Sequence, residues 1–161
     1  ACEWSHVPFE CTAFTKTADS YDGTSITIEI KDFKETLEKS KLYFGINDHG
    51  LVYKFDNLSS VPVFRGNSEE INLYYIGNRL MKVDHKKIMF VLCDGCTTGS
   101  RDTLKRVVKK MEESGITVIG IGICDSGVVG TYSLYKVFNN TKELEKLGSY
   151  LIDTISRYVT V

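Results

Sequence analysis

Two apolar runs in the second half of the chain constrain its fold more than any other feature. Lys87 to Leu92 reads KIMFVL, and Ile116 to Ile123 reads ITVIGIGI. Such nearly continuous apolar runs are typical of strands buried on both faces, which occur mainly in parallel sheets covered by helices. Parallel strands also need a long crossover connection, so a helix is expected between the runs. The sequence therefore predicts an α/β fold with a doubly wound, mostly parallel sheet and helices on both faces.

Three segments have the apolar spacing of helices that pack on such a sheet. They begin at residues suited to helix N-termini, namely Ser68, Ser100 and Thr141. Apolar residues then recur at intervals of three and four, which is the helical period. Alternating Gly120 and Gly122 lie within the second apolar run and are expected to let a helix approach that strand closely on one side.

The first half of the chain is less regular. Val7 to Phe14 predicts a short strand that begins near a proline, and Ile26 to Ile30 alternates apolar and polar residues as a strand does. Asp32 to Ser40 has a helical pattern, and Leu51 to Phe55 is a candidate for a further strand.

Composition limits the classes of protein to consider. A chain of 161 residues with 42% hydrophobic residues and a net charge of −1 predicts one soluble domain spanning residues 1–161. We expect no nucleic-acid partner, because no long basic stripe is present. The sequence contains neither a membrane span nor a signal-peptide pattern, and its five cysteines, an odd number, fit reduced thiols. A cytoplasmic location is therefore expected.

Several stretches of the sequence resemble a known family. Lys87 to Gly95, KIMFVLCDG, resembles the fourth strand of von Willebrand A domains with its terminal Asp-Gly. More narrowly, three stretches resemble the C-terminal domain of the cobaltochelatase T-subunit family and its phage relatives: Val7 to Thr15, Gly66 to Leu80 and Val137 to Ile155. The resemblance implies a non-catalytic binding or scaffold domain that works with an AAA+ ATPase in metal insertion into a tetrapyrrole.

The same resemblance implies an incomplete metal-ion-dependent adhesion site. Family members hold a divalent metal with an Asp-x-Ser-x-Ser loop, a threonine and an aspartate after the fourth strand. Here Asp94 matches that aspartate, Ser68 stands near the threonine's place, and no Asp-x-Ser-x-Ser occurs. We expect Mg²⁺ binding to be weak or absent, since this ion needs several oxygen ligands. Gly95, Thr97 and Thr98 form the adjoining loop, whose amides could hold an anion, whereas Asp94 could simply cap a turn.

The resemblance also implies that the chain is truncated at its N-terminus relative to the family. The family's first strand and helix have no counterpart in this sequence, and that strand lies in the middle of the sheet. An empty central position would expose unpaired strand edges. We therefore expect either that Val7 to Phe14 pairs directly with Lys87 to Leu92, or that the chain self-associates or borrows a strand from another polypeptide.

Other functions remain open on sequence grounds. Cys93 and Cys96 form a Cys-x-x-Cys pair between a strand and a helix, where thiol-disulfide oxidoreductases place theirs, although no proline adjoins it. Zinc could be held by these two thiols with Cys124 and either His49 or His85, but a lone Cys-x-x-Cys is a weak signal. A structural phage or host component without a ligand is a third alternative.

Overall fold

The computed structural model describes residues 7–16, 25–31, 43–47, 52–55, 68–93 and 99–159. The first part of the chain forms a four-stranded antiparallel sheet whose strands are adjacent in chain order. Its members are β1 (Cys11–Lys16), β2 (Ser25–Lys31), β3 (Tyr43–Asn47) and β4 (Val52–Phe55).

The second part forms a three-stranded parallel sheet in the order β5-β6-β7. Its strands are β5 (Lys87–Cys93), β6 (Ile116–Ile123) and β7 (Leu134–Phe138). The described residues include four helices beside it: α1 (Glu69–Leu80), α2 (Arg101–Glu113), α3 (Thr141–Leu144) and α4 (Leu147–Val159).

Helices cover both faces of the parallel sheet. On one face, Met89 and Val118 pack with Leu73 of α1 and Leu104 of α2 in the larger core cluster. On the opposite face, the side chains of Ile119, Ile121 and Phe138 form a second core cluster. Apolar residues of α3 and α4 pack against it, namely Leu144, Leu147, Tyr150 and Leu151. Successive residues of a strand point to opposite faces of the sheet, so the same strands can supply side chains to both clusters. Helices on both faces of a parallel sheet confirm the predicted α/β class.

The helical stripes of α1 and α2 lie in the core as predicted. Leu73, Leu104 and Val108 are each at most 2% exposed. The Ser100 hydroxyl accepts a hydrogen bond from the Thr103 N–H at 3.2 Å, which confirms its capping role. The capping prediction for Ser68 was wrong in detail, because its side chain makes no cap hydrogen bond. Its carbonyl instead accepts a hydrogen bond from the Asn72 side-chain amide at 2.9 Å.

The last helical segment is divided. Asn140 caps α3, since its side-chain oxygen accepts a hydrogen bond from the Glu143 N–H at 3.0 Å. The helix ends after Leu144, and α4 begins at Leu147. The sequence predicted a single helix from Thr141 because the apolar spacing continues across the break.

The predicted pairing of Val7 to Phe14 with Lys87 to Leu92 is wrong. The strand in this region, β1, pairs antiparallel with β2, and within the described residues β5 pairs only with β6. A hairpin between strands close in sequence closes a short loop, whereas pairing with β5 would close a loop of about seventy residues. The expected mostly parallel sheet therefore holds for the second half of the chain alone.

The predicted role of Gly120 and Gly122 also needs correction. The connection between β6 and β7, and not a helix, lies against both glycines. A Cβ atom on Gly120 would overlap the Tyr132 ring, and one on Gly122 would overlap the Asp125 carbonyl oxygen. The glycines therefore let this connection fold back over β6.

The remaining strand predictions are mixed. The alternation at Ile26 to Ile30 corresponds to β2, and the candidate at Leu51 to Phe55 corresponds to β4. Strands β3 and β7 were not predicted. The helical pattern of Asp32 to Ser40 lies outside the described residues. Among the helices that the structure describes, none has both the length and the apolar character needed to cross a bilayer.

Candidate functional site

Polar side chains converge at the carboxyl end of the parallel sheet. Strand β5 ends there at Cys93, while α1 and α2 begin nearby at Glu69 and Arg101. The connection after β6 completes the cluster with Thr131 and Tyr132. Ligand sites in open α/β sheets lie at this end, because the connections there leave a crevice.

A buried carboxylate and a buried phenol face each other in this cluster. Glu69 is 2% exposed and Tyr132 is 3% exposed. The Tyr132 hydroxyl donates a long hydrogen bond of 3.5 Å to Oε2 of Glu69. Burial, and next the charge of Glu69, raises the pKa of the Tyr132 phenol well above its usual value. Tyr132 is therefore a neutral hydrogen-bond donor and is unsuited to act as a general base.

Arg101 fixes the connection between β6 and β7. Its Nε donates to Thr131 Oγ1 at 3.2 Å, and its Nη2 donates to the carbonyl oxygens of Gly127 and Val129 at 3.0 Å each. The Thr131 hydroxyl in turn donates to the Gly127 carbonyl at 3.2 Å. A planar guanidinium suits this task because its donors have a fixed geometry. The connection is consequently tied to the first turn of α2.

Glu70 links the first turns of α1 and α2 at the carboxyl end of the parallel sheet, which we call the rim. Its Oε1 accepts a hydrogen bond from the Ser100 N–H at 3.1 Å. This N–H precedes the first residue of α2, where backbone donors lack helical partners and a negative charge is favoured. Adjacent glutamates therefore have different roles: Glu69 enters the core beside Tyr132, and Glu70 holds the start of α2.

Little free space remains inside the cluster. The cavity there has a volume of about 10 Å³ and is bounded by eight described residues of α1, β5, α2 and the β6–β7 connection: Glu69, Cys93, Arg101, Leu104, Gly127, Val128, Thr131 and Tyr132. That volume accommodates about one water molecule. Small-molecule sites usually occupy several hundred Å³. Between the described side chains of this cluster there is thus no room for an organic substrate.

The structure places only some of the predicted site residues. Ser68 is 4% exposed at the start of α1, next to Glu69. Asp94, Gly95, Thr97 and Thr98 lie outside the described residues, as does Cys96. In the sequence, residues 94–98 stand between the end of β5 and the start of α2.

The described carboxylates do not form a magnesium site by themselves. Glu69 accepts from Tyr132, and Glu70 accepts from Ser100. Within the residues described, no three His, Cys, Asp or Glu side chains lie close enough together to hold a metal ion. Mg²⁺ requires near-octahedral oxygen coordination, which one or two engaged carboxylates do not supply.

The cysteines proposed for redox or zinc chemistry have different environments. Cys93 is 7% exposed and belongs to the core cluster of α1 and α2. Cys124 is exposed after β6. His85 is exposed in the turn before β5, and His49 and Cys96 lie outside the described residues. Thiol exchange needs an accessible thiolate, so the burial of Cys93 weighs against the oxidoreductase alternative.

Sequence reasoning did not identify Glu69, Arg101, Thr131 or Tyr132 as site residues. From the sequence, Glu69 is only an acidic residue directly after Ser68, in a place where the first turn of a helix favours negative charge. The available signal was positional, since Glu69 and Arg101 open the helices on either side of a buried strand whose carboxyl end was already expected to hold the site.

Comparisons with known proteins do not assign the chain to a family. No protein-family model matches the sequence, and neither the curated proteins nor the solved structures contain a significant match.

Proposed function

We propose that this chain is a non-catalytic binding domain of the von Willebrand A type that contacts a protein partner through the carboxyl end of its parallel sheet. The observation that carries the proposal is the small volume of the polar cluster there. A cavity of about 10 Å³, bounded by Glu69, Arg101 and Tyr132, leaves recognition to the outer surface of the rim.

The rim has features that suit a protein partner. The β6–β7 connection is held by three Arg101 hydrogen bonds, so its outer surface is preorganised. Preorganisation lowers the entropy lost on association. Val129, at the tip of this connection, is 41% exposed and offers an apolar contact beside the polar residues of the α2 start. Apolar residues surrounded by polar ones are typical of interface centres.

The resemblance to the cobaltochelatase T-subunit family suggests the class of partner. We propose an AAA+ ATPase subunit, with the chain acting as an adaptor in a metal-chelatase type of complex. Under this proposal Mg²⁺ is not required in this chain for the contact, because the described rim residues are positioned by hydrogen bonds within the protein.

A binding measurement with matched variants tests the proposal. The 161-residue chain is immobilised, and a purified AAA+ subunit of the cobaltochelatase class is titrated over it. Val129→Asp should weaken association about tenfold, because a charge would enter a desolvated contact. The control is Leu134→Asp, because Leu134 is also 41% exposed but lies at the start of β7. That control should change affinity less than about twofold, as expected outside a contact.

Two results would contradict the proposal. Equal loss of affinity in both variants would show that the rim is not the contact surface. Absence of saturable binding by the unmodified chain would remove the AAA+ partner. Circular dichroism of both variants establishes that a loss of binding does not come from unfolding.

A further inference from the structure

A second cavity lies at the opposite end of the parallel sheet. It has a volume of about 330 Å³ and is bounded by residues from the start of β5, the start of β6 and the end of α4: Lys86, Lys87, Ile88, Gly115, Thr117, Arg157 and Tyr158. Ile88 and Thr117 are register partners in the two strands. The cavity is therefore independent of the rim described above and of the function proposed for it.

Its lining is strongly cationic. Lys86, Lys87 and Arg157 contribute three positive charges, and no Asp or Glu is among the lining residues that the structure describes. The Lys87 ammonium donates to the Val83 carbonyl at 3.0 Å. In the described part of the chain, neither Lys86 nor Arg157 forms an ion pair, whereas Arg79 pairs with Glu10. Unneutralised cations that share a concave site favour an anionic ligand.

The C-terminal end of α4 opposes this charge only in part. A helix C-terminus carries roughly half a negative charge, and Arg157 in the last turn compensates it. The two lysines of the β5 start lie on a different element and keep their charges. The cavity thus has an excess of positive charge after the helix dipole is taken into account.

The other lining groups indicate which chemical groups the ligand would carry. Thr117 and Tyr158 bring hydroxyl groups, which can donate hydrogen bonds to an oxyanion. Ile88 and the Tyr158 ring offer apolar surface beside them. Guanidinium groups bind phosphate oxygens in a bidentate manner, and lysines add point charges. The volume falls near the lower end of the range for small-molecule sites, which is about 300–1,000 Å³.

From these features we infer that the cavity bounded by Lys86, Lys87 and Arg157 binds a small phosphate monoester, with its phosphate on the cations and its organic part against Ile88 and Tyr158. A dianionic phosphate matches the three charges better than a monocarboxylate does. A concave site formed by three separate elements also fits a discrete ligand better than an extended polyanion.

Calorimetric titration of the 161-residue chain with phenyl phosphate tests this inference. The titrations are run at fixed ionic strength, with inorganic phosphate, sulfate and benzoate as comparison probes. We expect phenyl phosphate to saturate with a Kd of about 1 mM or below. Inorganic phosphate should bind several-fold more weakly, since it lacks the apolar part, and benzoate should bind more weakly still.

Two exposed residues provide variants that should preserve the fold. Arg157→Gln should weaken phenyl phosphate binding about tenfold, and Lys86→Gln should weaken it less, because a bidentate contact is stronger than a point charge. The matched control is Lys105→Gln, which removes one charge from an exposed position of α2. It should leave the Kd unchanged.

Amide chemical shifts locate the bound ligand. Saturation should move the resonances of Gly115 and Thr117, which line the cavity. The inference is overturned if phenyl phosphate shows no saturable binding, if Lys105→Gln weakens binding as much as Arg157→Gln, or if the shifts occur at Ser100 and Arg101 instead.

Discussion

Replacement of Gly120 by alanine tests how the β6–β7 connection is packed. An added Cβ would overlap the Tyr132 ring, which is 3% exposed and borders a cavity of only about 10 Å³. Overpacking of this kind costs about 1–3 kcal/mol. For a chain of this size, each kcal/mol lowers the melting temperature by roughly 2–4 °C, so Gly120→Ala should lower it by about 2–12 °C.

Gly148→Ala is the matched control for the same chemical change. Gly148 lies in α4, and a Cβ there would meet no atom within 4 Å. Alanine is favoured over glycine in helices, so this variant should be stabilised by up to about 1 kcal/mol. Gly77→Ala should fall between the two, because its Cβ would meet the flexible end of Met111.

Urea unfolding followed by circular dichroism measures each free-energy difference. Tyr132→Ala completes a double-mutant cycle. Loss of this buried ring costs about 3–5 kcal/mol, so all four proteins are measured in the same buffer with sucrose, which stabilises the folded state. Gly120→Ala should cost much less once the ring is absent. The packing argument fails if its cost is the same in both backgrounds within about 0.5 kcal/mol.

Four further predictions follow from the site and the termini of its elements. Calorimetry should detect no Mg²⁺ binding tighter than about 1 mM, and a tighter site abolished by Asp94→Ala would contradict the incomplete ligand set. The chain should not accelerate insulin reduction by dithiothreitol, because Cys93 is buried; activity lost in Cys93→Ser would restore the oxidoreductase alternative. Sedimentation velocity should detect self-association, since β5 lies at an edge of the described parallel sheet; a monomer at all concentrations would count against it. Hydrogen bonds from Asn139 lower the pKa of the Glu143 carboxyl in the folded protein. The ionised Glu143 should therefore stabilise the fold above its unfolded pKa, and this stabilisation should decrease as the pH falls through its folded pKa. Glu143→Gln should flatten this part of the plot of unfolding free energy, measured in urea, against pH.

The parallel sheet and its covering helices could be predicted because their signals are local. Continuous apolar runs identify β5 and β6, and the three-four spacing identifies α1 and α2. β7 was missed because its first three residues, LYK in the sequence, are exposed, so the segment lacks the continuous apolar pattern of a buried strand. An edge strand is defined by the neighbour it pairs with, which the local sequence does not specify.

Strand pairing in the first half was decided by tertiary structure. The sequence indicated a strand near Val7 to Phe14, but not its partner. The resemblance predicted that this strand pairs with β5, whereas β1 pairs with β2, the next strand in the chain. Glu10, the residue directly before β1, forms an ion pair of 2.6 Å with Arg79 of α1 in the second half of the chain.

In the candidate site, too, the sequence predicts the position of a helix, whereas the tertiary structure decides which of two adjacent residues is buried. The sequence determined that two glutamates open α1 at the end of the sheet where ligands bind, and nothing local distinguishes Glu69 from Glu70. Successive helical residues point about 100° apart, so the rotation of α1 against the sheet decides which one is buried. That rotation is set by the packing of Leu73 and Gly77 against the core and α2. Tertiary packing therefore placed Glu69 beside Tyr132 and left Glu70 to hold the start of α2.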